Sequence, residues 1–368
     1  MATTPRIAFA WESLGPSHLD RVDATAAAGA QVAAIEFSGE SRDYQWERDE
    51  PAGARRITLC GPGESLGQVR LAWRLFRAVR AFDARAAFLC HYHEGAVFLA
   101  ALLLRLTGCR VFAMIDSKFD DYPRVLWREA GKAVLLAPYD GALVGSRRTA
   151  EYVRFLGFRR RPVVGGFDAL DLARIRRAAP SAPDLSHPSR EFLIVARLVP
   201  KKNLSFALRA YAAWTRQAAH PRKLRIIGYG AEGDSLRALA AELGIADQVV
   251  LTGAAPSAEV YAAMRAALCL ILPSTEEQFG LVVTEALALG LPVLVSANAG
   301  AVDELVDNGV NGWIIDPYRP AALVAAMTLF DRDETAWKNA SAAAEASAER
   351  GDVRHFVDGV GALLGLDR

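Results

Sequence analysis

The chain has 368 residues, enough for two domains of ordinary size, each burying a core of its own. Its 43 basic and 42 acidic residues leave a net charge of +1, which excludes a global field favouring nucleic acid. Hydrophobic content is 52%, broken into short runs, and no stretch approaches the roughly 20 apolar residues of a spanning helix, so nothing integral to a membrane is indicated.

The four cysteines, Cys60, Cys90, Cys109 and Cys269, are widely spaced and mostly lie in apolar runs, which suits reduced core residues better than disulfides or a zinc framework. No charged segment followed by a long apolar one opens the chain, so a cytoplasmic location is expected. Residues 6–11 read as a first strand and 17–28 as the helix after it. The connecting Gly15-Pro16-Ser17-His18 should then lie at the carboxyl edge of the sheet, where sites of open α/β folds form. Residues 32–37 and 54–59 read as the next strands. Over 68–82 the spacing predicts an amphipathic helix with Leu71, Leu75, Ala78, Val79 and Phe82 inward. Arg70, Arg74, Arg77 and Arg80 share its other face, either as a solvated surface or as a peripheral contact with an anionic membrane, which would suit a lipid-linked acceptor.

Residues 86–93 read as a strand running into His91-Tyr92-His93, and 108–115 as a strand ending at Asp116. A polar group at a carboxyl strand end is a candidate site, and His93 is preferred to His91 as nearer the strand end. A strand over 140–144 feeds a helix over 147–155, and the six arginines between 147 and 161 read as a solvated rim. Residues 178–189 are rich in Pro, Ser and Ala without a period, which marks a hinge between domains.

The second half opens with a strand over 191–196, then Arg197-Leu198-Val199-Pro200-Lys201-Lys202-Asn203. Fixed cations after a strand can stabilise a leaving diphosphate without a metal. A strand from residue 224 ends in Gly228-Tyr229-Gly230, a tight turn in which Gly228 would let backbone approach a ligand. Further helix and strand alternate up to an apolar run, 268–272, followed by Ser274-Thr275-Glu276-Glu277-Gln278-Phe279-Gly280-Leu281-Val282-Val283-Thr284-Glu285. Leu281, Val282, Glu285, Ala286 and Leu289 have helical spacing, so uncapped N–H groups around Phe279, Gly280, Leu281 and Val282 point to the end of the sheet, where an anion belongs. Glu277 and Glu285 would repel that anion and more plausibly accept hydrogen bonds from hydroxyl groups beside it. A phosphate flanked by polyols is a nucleotide sugar. Strand and helix alternate throughout, which predicts a parallel sheet in each half.

Glu277 and Glu285, eight apart with Phe279-Gly280 between them and Gly290-Leu291-Pro292-Val293 behind, resemble the acidic signature of the family 4 retaining glycosyltransferases, and the Arg197 to Asn203 segment is similar to that family's Arg-Leu-Val-Pro-x-Lys-Asn. The resemblance covers nearly all of 190–318 and the first 185 residues only loosely. It implies a GT-B fold, with two Rossmann-like doubly wound domains facing a cleft: an acceptor-binding domain over 1–183, rejoined by a final helix over 352–368, and a donor-binding domain over 184–351. It also implies that Glu285 holds the ribose, Glu277 the donor sugar, and Arg197 and Lys202 the diphosphate of a UDP- or GDP-linked sugar. No metal ion or cofactor besides that donor is implied, and the acceptor is a hydroxyl, for example of a lipid-linked sugar. His93 and Asp116 would act on that acceptor, although Asp116 stands where many relatives carry a histidine. Two other readings stay open: a non-catalytic nucleotide-sugar binder, and a GT-B phosphorylase or epimerase.

Overall fold

The computed structural model describes residues 4–39, 49–61, 63–64 and 66–366. The chain divides into two compact units, residues 1–171 with 352–368, and residues 172–351. The division falls just before a short helix, Leu172–Ala178, and so ahead of the Pro/Ser/Ala-rich segment read as the hinge.

The first unit runs β1 (Arg6–Trp11), α1 (Pro16–Ala27), β2 (Gln31–Ser38), β3 (Arg55–Cys60), α2 (Gln68–Ala81), β4 (Ala86–Leu89), α3 (Gly95–Leu106), β5 (Arg110–Ile115), α4 (Leu126–Leu135), β6 (Gly141–Val144), α5 (Arg147–Phe155) and β7 (Val163–Val164). The second contains α6 (Leu172–Ala178), β8 (Glu191–Val195), α7 (Leu204–Thr215), β9 (Leu224–Ile227), α8 (Gly233–Glu242), β10 (Val249–Gly253), α9 (Ser257–Ala266), β11 (Ala267–Leu272), α10 (Leu281–Ala288), β12 (Val293–Ser296), α11 (Ala301–Leu305), β13 (Gly312–Ile315), α12 (Pro320–Arg332) and α13 (Glu334–Ser347), after which α14 (Arg354–Leu364) belongs to the first unit.

Both sheets are parallel. The first has the order β3-β2-β1-β4-β5-β6-β7 and the second β10-β9-β8-β11-β12-β13. Each is the doubly wound order in which the winding reverses beside the first strand, at β1/β4 and at β8/β11. Strands covered by helices on both faces should be apolar throughout, and all six residues of β11 and all four of β4 and β6 are buried.

On one face of the first sheet, Leu75 and Val79 of α2, Ala100 and Leu104 of α3 and Val153 of α5 share a core. On the other face the rings of Phe112, Phe88 and Phe9 stack with centroids 4.8 and 5.1 Å apart, and Phe356 of α14 closes the column 5.5 Å from Phe9. That column is why the last helix packs on the first unit. The second unit's core gathers Trp214 and Tyr211 of α7 against Phe192 of β8, with Phe330 of α12 and Trp313 of β13 in edge contact. All four cysteines are buried and free. Among the described residues no helix is long and apolar enough to cross a membrane.

Candidate donor site of the second unit

The carboxyl ends of β8 and β11 flank the reversal point of the second sheet, and the loops after them carry the expected residues. After β8 the chain makes a turn of 3-10 helix, Pro200–Lys202, and Asn203 adopts a left-handed φ of 57°. The Asn203 amide donates to the carbonyls of Pro273 (3.2 Å) and Pro317 (2.9 Å), which ties this turn to the loop after β11. The N–H of Thr275 adds a bond to the carbonyl of Lys201 at 2.9 Å.

The two loops meet through two ion pairs in register. Lys202 Nζ donates to Glu277 Oε2, and Lys201 Nζ lies 3.2 Å from Glu276 Oε1. The first pair is the deeper, with side-chain exposures of 12% and 11% against 30% and 18%. The fully buried Ser274 donates its hydroxyl to the same Glu277 Oε2 at 3.0 Å. Ser274, which lies in the signature stretch without a role assigned to it, therefore positions Glu277. Its hydroxyl sits three residues before the carboxylate, a local side-chain pairing that only the loop's fold reveals.

Gly280 caps α10 with φ 101°, and Glu285 lies one turn into that helix. The buried Tyr261 of α9 donates its hydroxyl to Glu285 Oε1 at 3.3 Å. Burial, reinforced by the Glu285 charge, pushes the Tyr261 phenol well above its usual range, so it stays a hydrogen-bond donor at any working pH. Phe279 is buried, while Leu281 and Arg197 are half-buried.

Gly228 has a φ of 151°, and a Cβ there would lie 1.8 Å from the carbonyl oxygen of Ala196. The glycine thus lets its turn close on the chain's own backbone at the Arg197 loop, where the Leu198 N–H donates to the Tyr229 carbonyl at 2.8 Å.

In the first unit the reversal point lies between β1 and β4. Strand β4 stops at Leu89, four residues before His93, so the expected strand end at His93 is corrected. His91 has φ 58° in the turn leading to α3, where its carbonyl accepts the Glu94 N–H at 2.9 Å. His93 is exposed, with Nε2 3.9 Å from Glu94 Oε1. His18 stands across from them: its Nδ1 accepts the Gly15 N–H at 2.9 Å, which places the neutral ring's proton on Nε2. Burial, then the charges of Arg21 and His91, hold the His18 imidazole well below its usual range.

Behind these histidines sits a buried charged group. Arg21 Nη2 lies 3.5 Å from Asp168 Oδ1, and its Nε donates to the Ala169 carbonyl at 3.1 Å. Burial raises the Asp116 carboxyl, with Asp121 adding to the rise, and Thr149 Oγ1 donates to the Asp116 backbone carbonyl at 3.0 Å. Burial also pushes Asp168 up to about 7, against the pull of Arg21, and its Oδ2 has no hydrogen-bond partner. A carboxyl that holds its proton more tightly in the folded state gives that state the extra proton between the ordinary aspartate range and about 7, so stability falls as pH rises through that window. The Tm of the wild type should decline between about pH 4 and pH 7, and Asp168→Asn should flatten the decline. Superimposable Tm profiles would show that Asp168 does not titrate there.

Solved structures fix the class of fold. Sucrose-phosphate synthase from Thermosynechococcus elongatus matches with a TM-score of 0.75 over 98% of both chains at 19% identity. The Anabaena protein HepE, solved in complex with UDP, matches with a TM-score of 0.75 over 98% of this chain and 99% of that one at 18% identity. The fold is GT-B, two parallel-sheet α/β units.

Sequence adds a family likeness. Residues 176–350 match the family described as glycosyl transferases group 1. D-inositol 3-phosphate glycosyltransferase of Acidothermus cellulolyticus is 37% identical over 145 residues, which are 37% of this chain and 32% of that protein. The chain spans 32% of the length of that relative and 50% of the D-inositol 3-phosphate glycosyltransferase of Nocardia farcinica, which is 31% identical over 227 residues.

Proposed function

We propose that the protein is a retaining glycosyltransferase that moves a sugar from a nucleotide-diphosphate sugar, UDP- or GDP-linked, to a hydroxyl acceptor in polysaccharide, glycolipid or glycoconjugate assembly. The observation that carries this reading is the meeting of Lys202 and Glu277 at the reversal point of the second sheet, with the N-terminus of α10 beside them. The match of residues 176–350 to the group 1 glycosyl transferases and the UDP complex of HepE support it.

In this reading the bond from the sugar's anomeric carbon to the distal phosphate oxygen breaks, and a bond from that carbon to the acceptor oxygen forms on the same face. Negative charge grows on the departing diphosphate, and Arg197 and Lys202 stabilise it together with the backbone N–H groups of Phe279, Gly280 and Leu281. These cations supply the charge that a metal would otherwise bring, so the transfer is read as metal-independent. Glu277 accepts hydrogen bonds from the donor sugar's hydroxyls and Glu285, oriented by Tyr261, from the ribose. On the acceptor side, the exposed His93 takes the hydroxyl's proton, while Asp116, raised by burial, acts as a hydrogen-bonding group beside it. The exposed Arg70, Arg77 and Arg80 of α2 are proposed to lean on anionic lipid at the inner face of a membrane, together with Arg74, which Glu64 holds at 2.8 Å.

A thermal-shift screen of UDP, GDP, ADP and their sugar conjugates tests the donor site. One nucleotide family should raise the Tm of the wild type, since about 100-fold excess over Kd adds about 2.7 kcal/mol, and Glu285→Ala should abolish the rise while leaving the ligand-free Tm nearly unchanged. A flat response to every nucleotide would overturn the reading.

A further inference from the structure

Helix α4 is amphipathic in the inverted sense. Its inward side sets Leu135 against the first core and is otherwise polar: Glu129, only 5% exposed, accepts from the Tyr152 hydroxyl and from Lys132 Nζ (3.0 Å), and Lys132 Nζ and Arg124 Nη1 reach the same hydroxyl at 2.8 and 3.0 Å. Glu129 is the only fully buried residue of the helix. Its outward side is apolar, with Leu126, Trp127 and Val134 exposed to 81%, 71% and 63%. Half-exposed Phe119, Tyr122 and Phe155 extend the same surface, Phe119 and Phe155 meeting edge to face at 5.7 Å. A helix that satisfies its polar side within its own fold and turns its apolar side out is built for an apolar neighbour.

From this arrangement we propose that the outward face of α4, with the turn before it, is a docking surface for an anionic lipid bilayer. Charge selects that occupant. Within residues 118–161 the exposed charges are Arg128, Arg147, Arg154, Arg159 and Arg160 against Asp120 and Glu151, in a chain whose net charge is only +1. A cation also sits where a bilayer interface would use it: the exposed Arg128 guanidinium lies over the Trp127 ring at 5.2 Å. Tryptophan and tyrosine rings settle at headgroup depth, long cationic side chains reach past them to lipid phosphates, and a helix of this kind lies in the plane of the interface. Lipid phosphate draws such a basic surface at close range and is screened by salt. The surface is distinct from the α2 arginines and holds whatever sugar the protein transfers.

The test is cosedimentation of the full chain with vesicles of phosphatidylcholine alone and of phosphatidylcholine with phosphatidylglycerol. The wild type should pellet with the anionic vesicles and not with the neutral ones, and added salt should weaken the binding. The Leu126→Ser, Trp127→Ser double variant should bind about tenfold more weakly or worse, with an unchanged Tm because both residues are exposed. Equal binding to both vesicle types, or full binding by the double variant, would overturn the proposal. So would concentration-dependent dimerisation in lipid-free buffer that the double variant loses, which would give this face to a second copy of the chain.

Discussion

Lys202→Ala should lower turnover about 100- to 1000-fold with the donor that the nucleotide screen selects, the loss typical of removing one group that stabilises charge in the transition state. The same change should also lower Tm, for a reason unrelated to catalysis. Glu277 is 8% exposed, and the change removes the ammonium group that its carboxylate shares with the Ser274 hydroxyl. Removing one partner from a buried ion pair costs about 3–5 kcal/mol, and the slight exposure of both side chains brings the expectation to about 3. Adding Glu277→Gln to Lys202→Ala separates the two effects. The double variant should regain most of the lost Tm, since no buried charge is left unpaired, and none of the lost turnover. Recovery of turnover in the double variant would reduce Lys202 to a structural counter-ion.

Gly228→Ala should be the most damaging single methyl in the second unit. The new Cβ would meet the Ala196 carbonyl oxygen at 1.8 Å at a φ of 151°, so backbone must move, and no side chain can yield instead. A clash of this kind with added backbone strain belongs among the large effects, about 4 kcal/mol or more. What must move is the segment 196–198, which carries Arg197, so nucleotide-induced stabilisation should vanish along with the lost Tm. A Gly228→Ala protein that keeps both its Tm and its nucleotide response would show that the two loops are not held together as described.

These two residues illustrate what sequence makes visible. The cations and carboxylates of the candidate donor site are legible as a group because they sit in loops directly after apolar strands, where the sheet's carboxyl edge gathers them. The alternation of strand and helix gave two parallel sheets on the same ground. What could not be read was pairing across the chain. Lys202 and Glu277 are 75 positions apart, and nothing local says that they meet. The neighbour of Gly228 is likewise a remote backbone segment, at Ala196, which nothing local announces. In the first unit, the apolar run 86–89 continues into Cys90 and a histidine, and extended structure was carried four residues too far to His93. The left-handed turn at His91 leaves no sequence mark beyond its polarity. Helix α4 escaped notice for a physical reason: periodicity is read on the premise that apolar stripes face inward, and in α4 the stripe faces out.

The docking of α14 on the Phe9–Phe88–Phe112 column makes the second unit an insertion within the first. During synthesis, residues 172–351 emerge whole before the segment that completes the earlier unit. The first sheet therefore waits with one aromatic face uncovered until the final helix arrives, while the later-made unit has every strand of its sheet in hand. Order of translation and order of completion are inverted, and a chain stopped short of Arg354 would release a finished second unit attached to a first one that still exposes its phenylalanines.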